Sequence, residues 1–149
     1  MKVRLRNRPY LLIITNLFCN HQCTYCIQQE SSLDVRKNPN KIDVPAVLAF
    51  LKRNRIASSV KVMGGEATLH PDFSQLMDGL TGLYRKIVIT SNLNGKWFED
   101  FDKAIDAMGR WRDRTRWNLT FHPAWMEQDV FVDRVRKLKS AGIRLGQIA

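Results

Sequence analysis

The sequence predicts an α/β fold in which parallel strands are covered by outer helices. Two patterns carry that expectation. Short apolar, β-branched runs alternate with longer stretches of helical apolar spacing, giving four strand–helix pairs and then one more strand. The chemically unusual residues also fall just after strand ends. Parallel sheets need helical crossovers, and ligands bind at the carboxyl ends of their strands.

The elements follow in order. Tyr10-Leu-Leu-Ile-Ile-Thr is a buried strand that leads directly into a cysteine loop. Asp43-Val-Pro opens a helix, with Asp43 as cap and Pro45 where its missing N–H costs nothing; Val47, Leu48 and Leu51 form the apolar face. Ser59-Val-Lys-Val-Met is a strand ending at Gly64-Gly65, and Asp72 to about Leu83 is a helix carrying Phe73, Leu76, Met77 and Leu80. Lys86-Ile-Val-Ile-Thr is a strand ending at Ser91-Asn92, followed by a helix from Trp97 to about Met108. Trp117-Asn-Leu-Thr-Phe is a strand ending at His122-Pro123. A helix from Gln128 to Ser140 then presents Val130, Phe131, Val135 and Leu138, and Gly142 ends it. Ile143-Arg-Leu-Gly-Gln-Ile begins the fifth strand.

Length and composition suit one domain. The 149 residues are 44% hydrophobic and 26% charged, which argues against disorder. Residues 1–149 are read as a single core domain, with residues 1–9 a basic N-terminal arm and the C-terminal end incomplete, because the sequence stops inside a strand. The longest apolar run, Tyr10 to Ile14, is too short to span a bilayer, and no secretory signal is visible; no membrane partner and a cytoplasmic location are the default expectations. The net charge of +10 is compatible with RNA or another anionic partner. Arg110, Arg112, Arg114 and Arg116 are interleaved with Trp111 and Trp117, as a base-stacking surface would be, or as a solvated helix end and loop would be.

The sharpest signal is Cys19-Asn-His-Gln-Cys23-Thr-Tyr-Cys26, which holds all three cysteines of the chain. An odd number so closely spaced is not a disulfide framework. Three thiolates on one loop can hold three corners of an iron–sulfur cluster and leave one iron with open sites. Zinc on the three cysteines, with His21 as fourth ligand, is the alternative, and it implies a nucleic-acid-binding module. Gly64-Gly65-Glu66 is either a binding turn or plain strand-to-loop punctuation. Ser91, Asn92 and Asn94 are candidate hydrogen-bonding groups at the third strand end. His122 is the candidate catalytic residue, with Asn118 and Thr120 expected to point inward beside it. Trp97, Phe98, Phe101 and Phe131 are expected to pack in the interior.

C-x3-C-x-aromatic-C directly after a first strand, followed by Val62-Met-Gly64-Gly65-Glu66-Ala67, His70-Pro71-Asp72-Phe73 and Thr90-Ser91-Asn92, resembles the radical S-adenosylmethionine (SAM) superfamily. The resemblance covers the chain from Tyr10 onward. It implies a partial (β/α) barrel, here lacking the last strand. It further implies that Cys19, Cys23 and Cys26 bind a [4Fe–4S] cluster and that SAM completes the coordination of the fourth iron. Tyr25 would lie against the adenine, Gly64 and Gly65 would let the backbone approach the methionine moiety, and Glu66 would accept from its amino group. Reductive cleavage of SAM would give a 5′-deoxyadenosyl radical that abstracts hydrogen from substrate. The electron would come from an external donor such as flavodoxin or ferredoxin. The implied substrate is a peptide, a small molecule or RNA; activation of a partner as a glycyl radical and an inactive fragment are further readings. Ala67 departs from the family's usual proline, and Arg144-Leu-Gly146 matches the fifth-strand adenine contact weakly.

Overall fold

In the computed structural model, residues 10–26, 41–54 and 56–149 are described; the basic arm of residues 1–9 lies outside them. Five strands form one sheet in the order β1 (Tyr10–Ile14), β2 (Ser59–Met63), β3 (Ile87–Ser91), β4 (Thr115–Leu119) and β5 (Leu145–Ile148). Every neighbouring pair is parallel. Helices α1 (Val44–Arg53), α2 (Phe73–Leu83), α3 (Phe101–Trp111) and α4 (Gln128–Ser140) make the connections. The expected α/β architecture, with one helical crossover between successive strands, is what the chain adopts.

Local chemistry explains the boundaries. Asp43 caps α1 by accepting from the Ala46 N–H at 3.0 Å. Gly142, at φ 74°, ends the turn after α4, where its missing Cβ removes the left-handed penalty. The stretch expected as one helix from Trp97 to Met108 is divided instead. Lys96–Phe98 is a single 3-10 turn, and α3 starts afresh at Phe101 because Asp100 caps it through the Lys103 N–H. Strand β4 begins two residues earlier than expected, at Thr115. Val130, expected on the apolar face of α4, is exposed, whereas Phe131 and Leu138 are buried.

The core lies between the sheet and its helices. Val60, Val62, Ile87, Ile89, Trp117 and Leu119 meet Phe73, Leu76, Met77, Leu80 and Met108, all essentially without solvent exposure. The aromatics pack as expected: Trp97 stacks on Trp111 and Trp117 at 6.3 Å from each, with Phe73 set edge-on. The base-stacking reading fails here. Trp111 and Trp117 are 2% and 0% exposed, so neither ring can receive a base, and the Arg110 guanidinium itself lies over the Trp111 ring at 5.7 Å.

The opposite face of the sheet carries Tyr10, Leu12 and Ile14, all exposed, and the charged residues Lys61 and Arg116. Leu12, Lys61, Val88 and Arg116 are register partners in one row across β1 to β4. Among the described residues, no strand contains an acidic residue. Among the described residues, no helix is long and apolar enough to cross a membrane.

Candidate cofactor site

The strand ends gather the predicted residues around one cavity of about 150 Å³. Cys19, Cys23, Tyr25 and Cys26 line it from the loop after β1, and Gly64, Gly65 and Glu66 line it from the end of β2. Ser91 and Asn92 come from the end of β3 and His122 from beyond β4. The nine residues expected to bind cofactor or metal and the candidate catalytic His122 all line this cavity, whereas Asn94, also a candidate, does not. Thr120 also lines it, but Asn118 turns to β5 and accepts from the Gln147 N–H at 3.1 Å. Arg144, Leu145 and Gly146 do not line it.

The glycines have a different immediate cause from the one expected. A Cβ on Gly65 would stand 2.2 Å from the Phe18 carbonyl oxygen, and one on Gly64 would stand 2.7 Å from that of Asn16. The side chains are missing so that the cysteine loop can dock on the end of β2. The docking bonds run from the Gly65 N–H to the Asn16 oxygen at 3.0 Å and from the Glu66 N–H to the Phe18 oxygen at 2.9 Å. Asn16 Nδ2 completes the seam by donating to the Glu66 carbonyl.

Glu66 is 2% exposed and has no cationic partner among the described residues. Its charge is met by hydrogen bonds. Oε1 accepts from the Thr68 hydroxyl at 2.6 Å, from the Ser91 hydroxyl at 2.9 Å and from the Thr68 N–H at 3.2 Å. Oε2 accepts from the Asn92 N–H at 2.7 Å. Burial pushes the carboxyl above its ordinary range, and those four donors pull it back. One contact also caps the 3-10 turn Ala67–Leu69, so the turn holds without the family's proline.

The segment after β3 is held equally tightly. Leu93 is fully buried at φ 55°, a left-handed conformation that costs a branched residue about 1–2 kcal/mol. The Ser91 hydroxyl accepts from its N–H, and Arg134 on α4 donates to its carbonyl. The segment presents Asn92 Nδ2 to Asn20 Oδ1 at 3.1 Å and Asn94 Nδ2 to His21 Nε2 at 3.1 Å.

The remaining wall is an aromatic shelf. His21 stacks on Trp125 at 5.5 Å and meets His122 edge-on at 5.1 Å. His122 Nδ1 is 2.8 Å from the Tyr25 hydroxyl and 3.4 Å from Cys23 Sγ. Burial, and then the neighbouring His122, lower the His21 pKa to about 4, and burial lowers that of His122 as well. Neither ring carries a proton charge near neutrality. Burial pushes the Cys19 thiol up to about 11, opposed by the His21 main-chain N–H that donates to its sulfur at 3.4 Å.

The donor set fits a cluster better than one ion. No disulfide joins the three cysteines. Thiolates sharing a tetrahedral zinc lie within about 4 Å of one another, given a Zn–S bond of about 2.3 Å. Among the described residues, the trio whose ligand atoms all approach within 4.8 Å is His21, Cys23 and His122, not the three cysteines. All three cysteines line the cavity, and their sulfurs are not gathered as closely as a single tetrahedral ion needs. The three-cysteine zinc site with His21 as fourth ligand is not assembled.

The family described as the radical SAM superfamily matches residues 13–122, and the chain belongs to it. Its members use a [4Fe–4S] cluster and SAM. The GTP 3′,8-cyclase of Vibrio atlanticus (strain LGP32) is 26% identical over 106 residues, which is 70% of this chain and 30% of that protein. The GTP 3′,8-cyclase of Stenotrophomonas maltophilia (strain K279a) is 28% identical over 89 residues, 58% of this chain and 27% of that protein. Among solved structures, Streptococcus suis SuiB bound to precursor peptide SuiA superposes with a TM-score of 0.71 at 17% identity, covering 91% of this chain and 31% of that one. SuiB bound to S-adenosylmethionine gives 0.67 with the same coverage. The chain therefore spans under a third of each of these proteins, and at such identity SuiB speaks for the fold alone.

Several contributors were not foreseen from sequence, among them Thr68 and Asn16, which bond Glu66. Asn20 joins the cysteine loop to Asn92, and Trp125 floors His21. Asn20 sits inside the cysteine motif, which was a signal; Trp125, beyond a strand end and a proline, gave none.

Proposed function

We propose that this chain is the core of a radical SAM enzyme in which Cys19, Cys23 and Cys26 hold a [4Fe–4S] cluster and SAM binds across Gly64 to Glu66. The observation that carries this reading is the convergence of the three thiols and the Gly-Gly-Glu segment on one cavity. When bound, the cluster and SAM supply an electron and a hydrogen-abstracting radical. The chain's own residues bind and orient. Glu66 Oε1 is saturated by three donors, but Oε2 takes only the Asn92 N–H, which leaves it capacity to accept from the cationic amino group of SAM. Tyr25, 67% exposed, stands at the mouth as a lid for the adenine. His122, neutral and bonded to Tyr25, borders the space where substrate would meet the cofactor. An external flavodoxin or ferredoxin would deliver the electron.

A small anionic metabolite is the substrate class best supported. Lys61 and Arg116 lie on the open sheet face below Met63, itself a cavity residue, and no strand offers them an acidic partner. The GTP 3′,8-cyclase relatives point the same way.

Anaerobic reconstitution with iron and sulfide tests the proposal. The expected result is about four irons per chain and an electron paramagnetic resonance signal of the reduced protein that changes when SAM is added. One tightly bound zinc and no cluster would overturn it.

A further inference from the structure

His21 presents a buried hydrogen-bond donor that no described residue satisfies. The Asn94 amide is oriented by two contacts besides the one to His21: its Oδ1 accepts from the Gly95 N–H at 2.8 Å, and its Nδ2 donates to the Trp125 carbonyl at 3.2 Å. Asn94 therefore offers its NH2 to His21 Nε2, which must accept. The neutral ring then carries its proton on Nδ1, and that atom is buried with no partner among the described residues. The same assignment removes His21 as a ready ligand for a single ion, since one nitrogen is engaged and the other protonated.

The donor is held in place. His21 is 7% exposed, stacked on Trp125 and fixed edge-on to His122. It lies between two of the cysteines in sequence and lines their cavity, and its main-chain N–H already donates to Cys19 Sγ. An unsatisfied buried donor is costly in a native fold, and an acceptor that arrives with a ligand would satisfy it.

We propose that His21 Nδ1–H donates a hydrogen bond to a sulfur of the bound cluster, its Cys23 thiolate included, and thereby raises the cluster's reduction potential. The inference rests on the cluster assignment above. Hydrogen bonds to cluster sulfurs stabilise the reduced, more negative state more than the oxidised one. His21 is in this sense a positioning and tuning residue.

The test is a redox titration of the reconstituted full chain, followed by electron paramagnetic resonance, for wild type, His21→Phe and His21→Gln. Phenylalanine keeps the ring on Trp125 but has no donor; glutamine restores an N–H. The expected outcome is a more negative midpoint for His21→Phe, an intermediate one for His21→Gln, and equal iron contents. An unchanged midpoint at full iron content would reduce His21 to packing and overturn the proposal. A shift seen only with SAM present would also overturn it, by assigning the acceptor to SAM. If His21→Phe fails to load iron, hyperfine spectroscopy of a His122→Phe chain labelled with 15N at histidine Nδ1 decides instead. A 15N coupling with an exchangeable proton at the reduced cluster supports the contact, and its absence overturns it. A wild-type chain that loads no iron fails earlier, at the cluster assignment itself, and takes this inference with it.

Discussion

The two halves of the cavity are built on opposite principles. Around Glu66 the carboxylate is fully engaged at one oxygen and held at the other: four hydrogen bonds converge on it, and the chain entering and leaving it is pinned to the cysteine loop and to the end of β3. Across the cavity, the shelf of Cys23, Tyr25, His21 and His122 is looser. Tyr25 is mostly exposed, the cysteines are half-buried and His21 keeps an unpaired donor. The first half is largely tied up within the fold, with capacity left at Glu66 Oε2; the second leaves more of its groups open. A binding site divided this way has a wall whose job is to hold position and a wall whose valences remain for the guest.

Substitutions at the closed wall should then cost stability, and those at the open wall should cost loading. Gly65→Ala should have the largest effect, because the new Cβ meets main-chain atoms of Phe18 that cannot move aside without undocking the loop. A loss of about 3 kcal/mol is expected in urea unfolding, together with failure to reconstitute. Wild-type stability in that variant would show that the loop docks elsewhere.

Next comes Glu66→Gln. One amide nitrogen must now face either the Asn92 N–H or the cluster of Thr68 and Ser91 donors, so about 2 kcal/mol should be lost. Equal stability of mutant and wild type would mean that the carboxyl is already protonated in the fold.

Alanine at Cys19, Cys23 or Cys26 should move the unfolding midpoint of the metal-free chain little, by about 1 kcal/mol or less, while abolishing a stable cluster as read by iron content. A large stability loss at any of them would erase the distinction between the walls.

The smallest effect concerns acid. The His21 pKa falls from 6.5 in the unfolded chain to about 4 in the fold, so its neutral form is favoured by folding. That contribution is present above pH 6.5 and is lost as the pH drops toward 4. The metal-free wild type should weaken over that interval, and His21→Phe should show a flatter profile by circular dichroism.

Much of this organisation was legible in the residues. The alternation of apolar runs placed β2 and α4 on their observed limits, because Ser59–Met63 and Gln128–Ser140 are bounded by turn and capping residues. It failed at Trp97 to Met108, where apolar spacing continues through a break that Asp100 imposes by capping a second helix. Strand β4 was read late because Thr115 and Arg116 look polar, although Thr115 is buried. At the site, the motif residues were visible as a set, but their partners were not. That the glycines serve the cysteine loop, and that Asn94 fixes the proton on His21, depends on which main-chain atoms touch across the strand ends, and no local pattern records that.

The docking of the cysteine loop also sets an order of events. The groups that hold it, Gly65 and Glu66, belong to a segment synthesised after all three cysteines and reachable only once β2 lies beside β1. Until that pairing forms, the cysteine loop lacks these docking bonds. For the cluster proposed above, the seating of β2 would then have to come before the three thiols take up the arrangement seen in the fold.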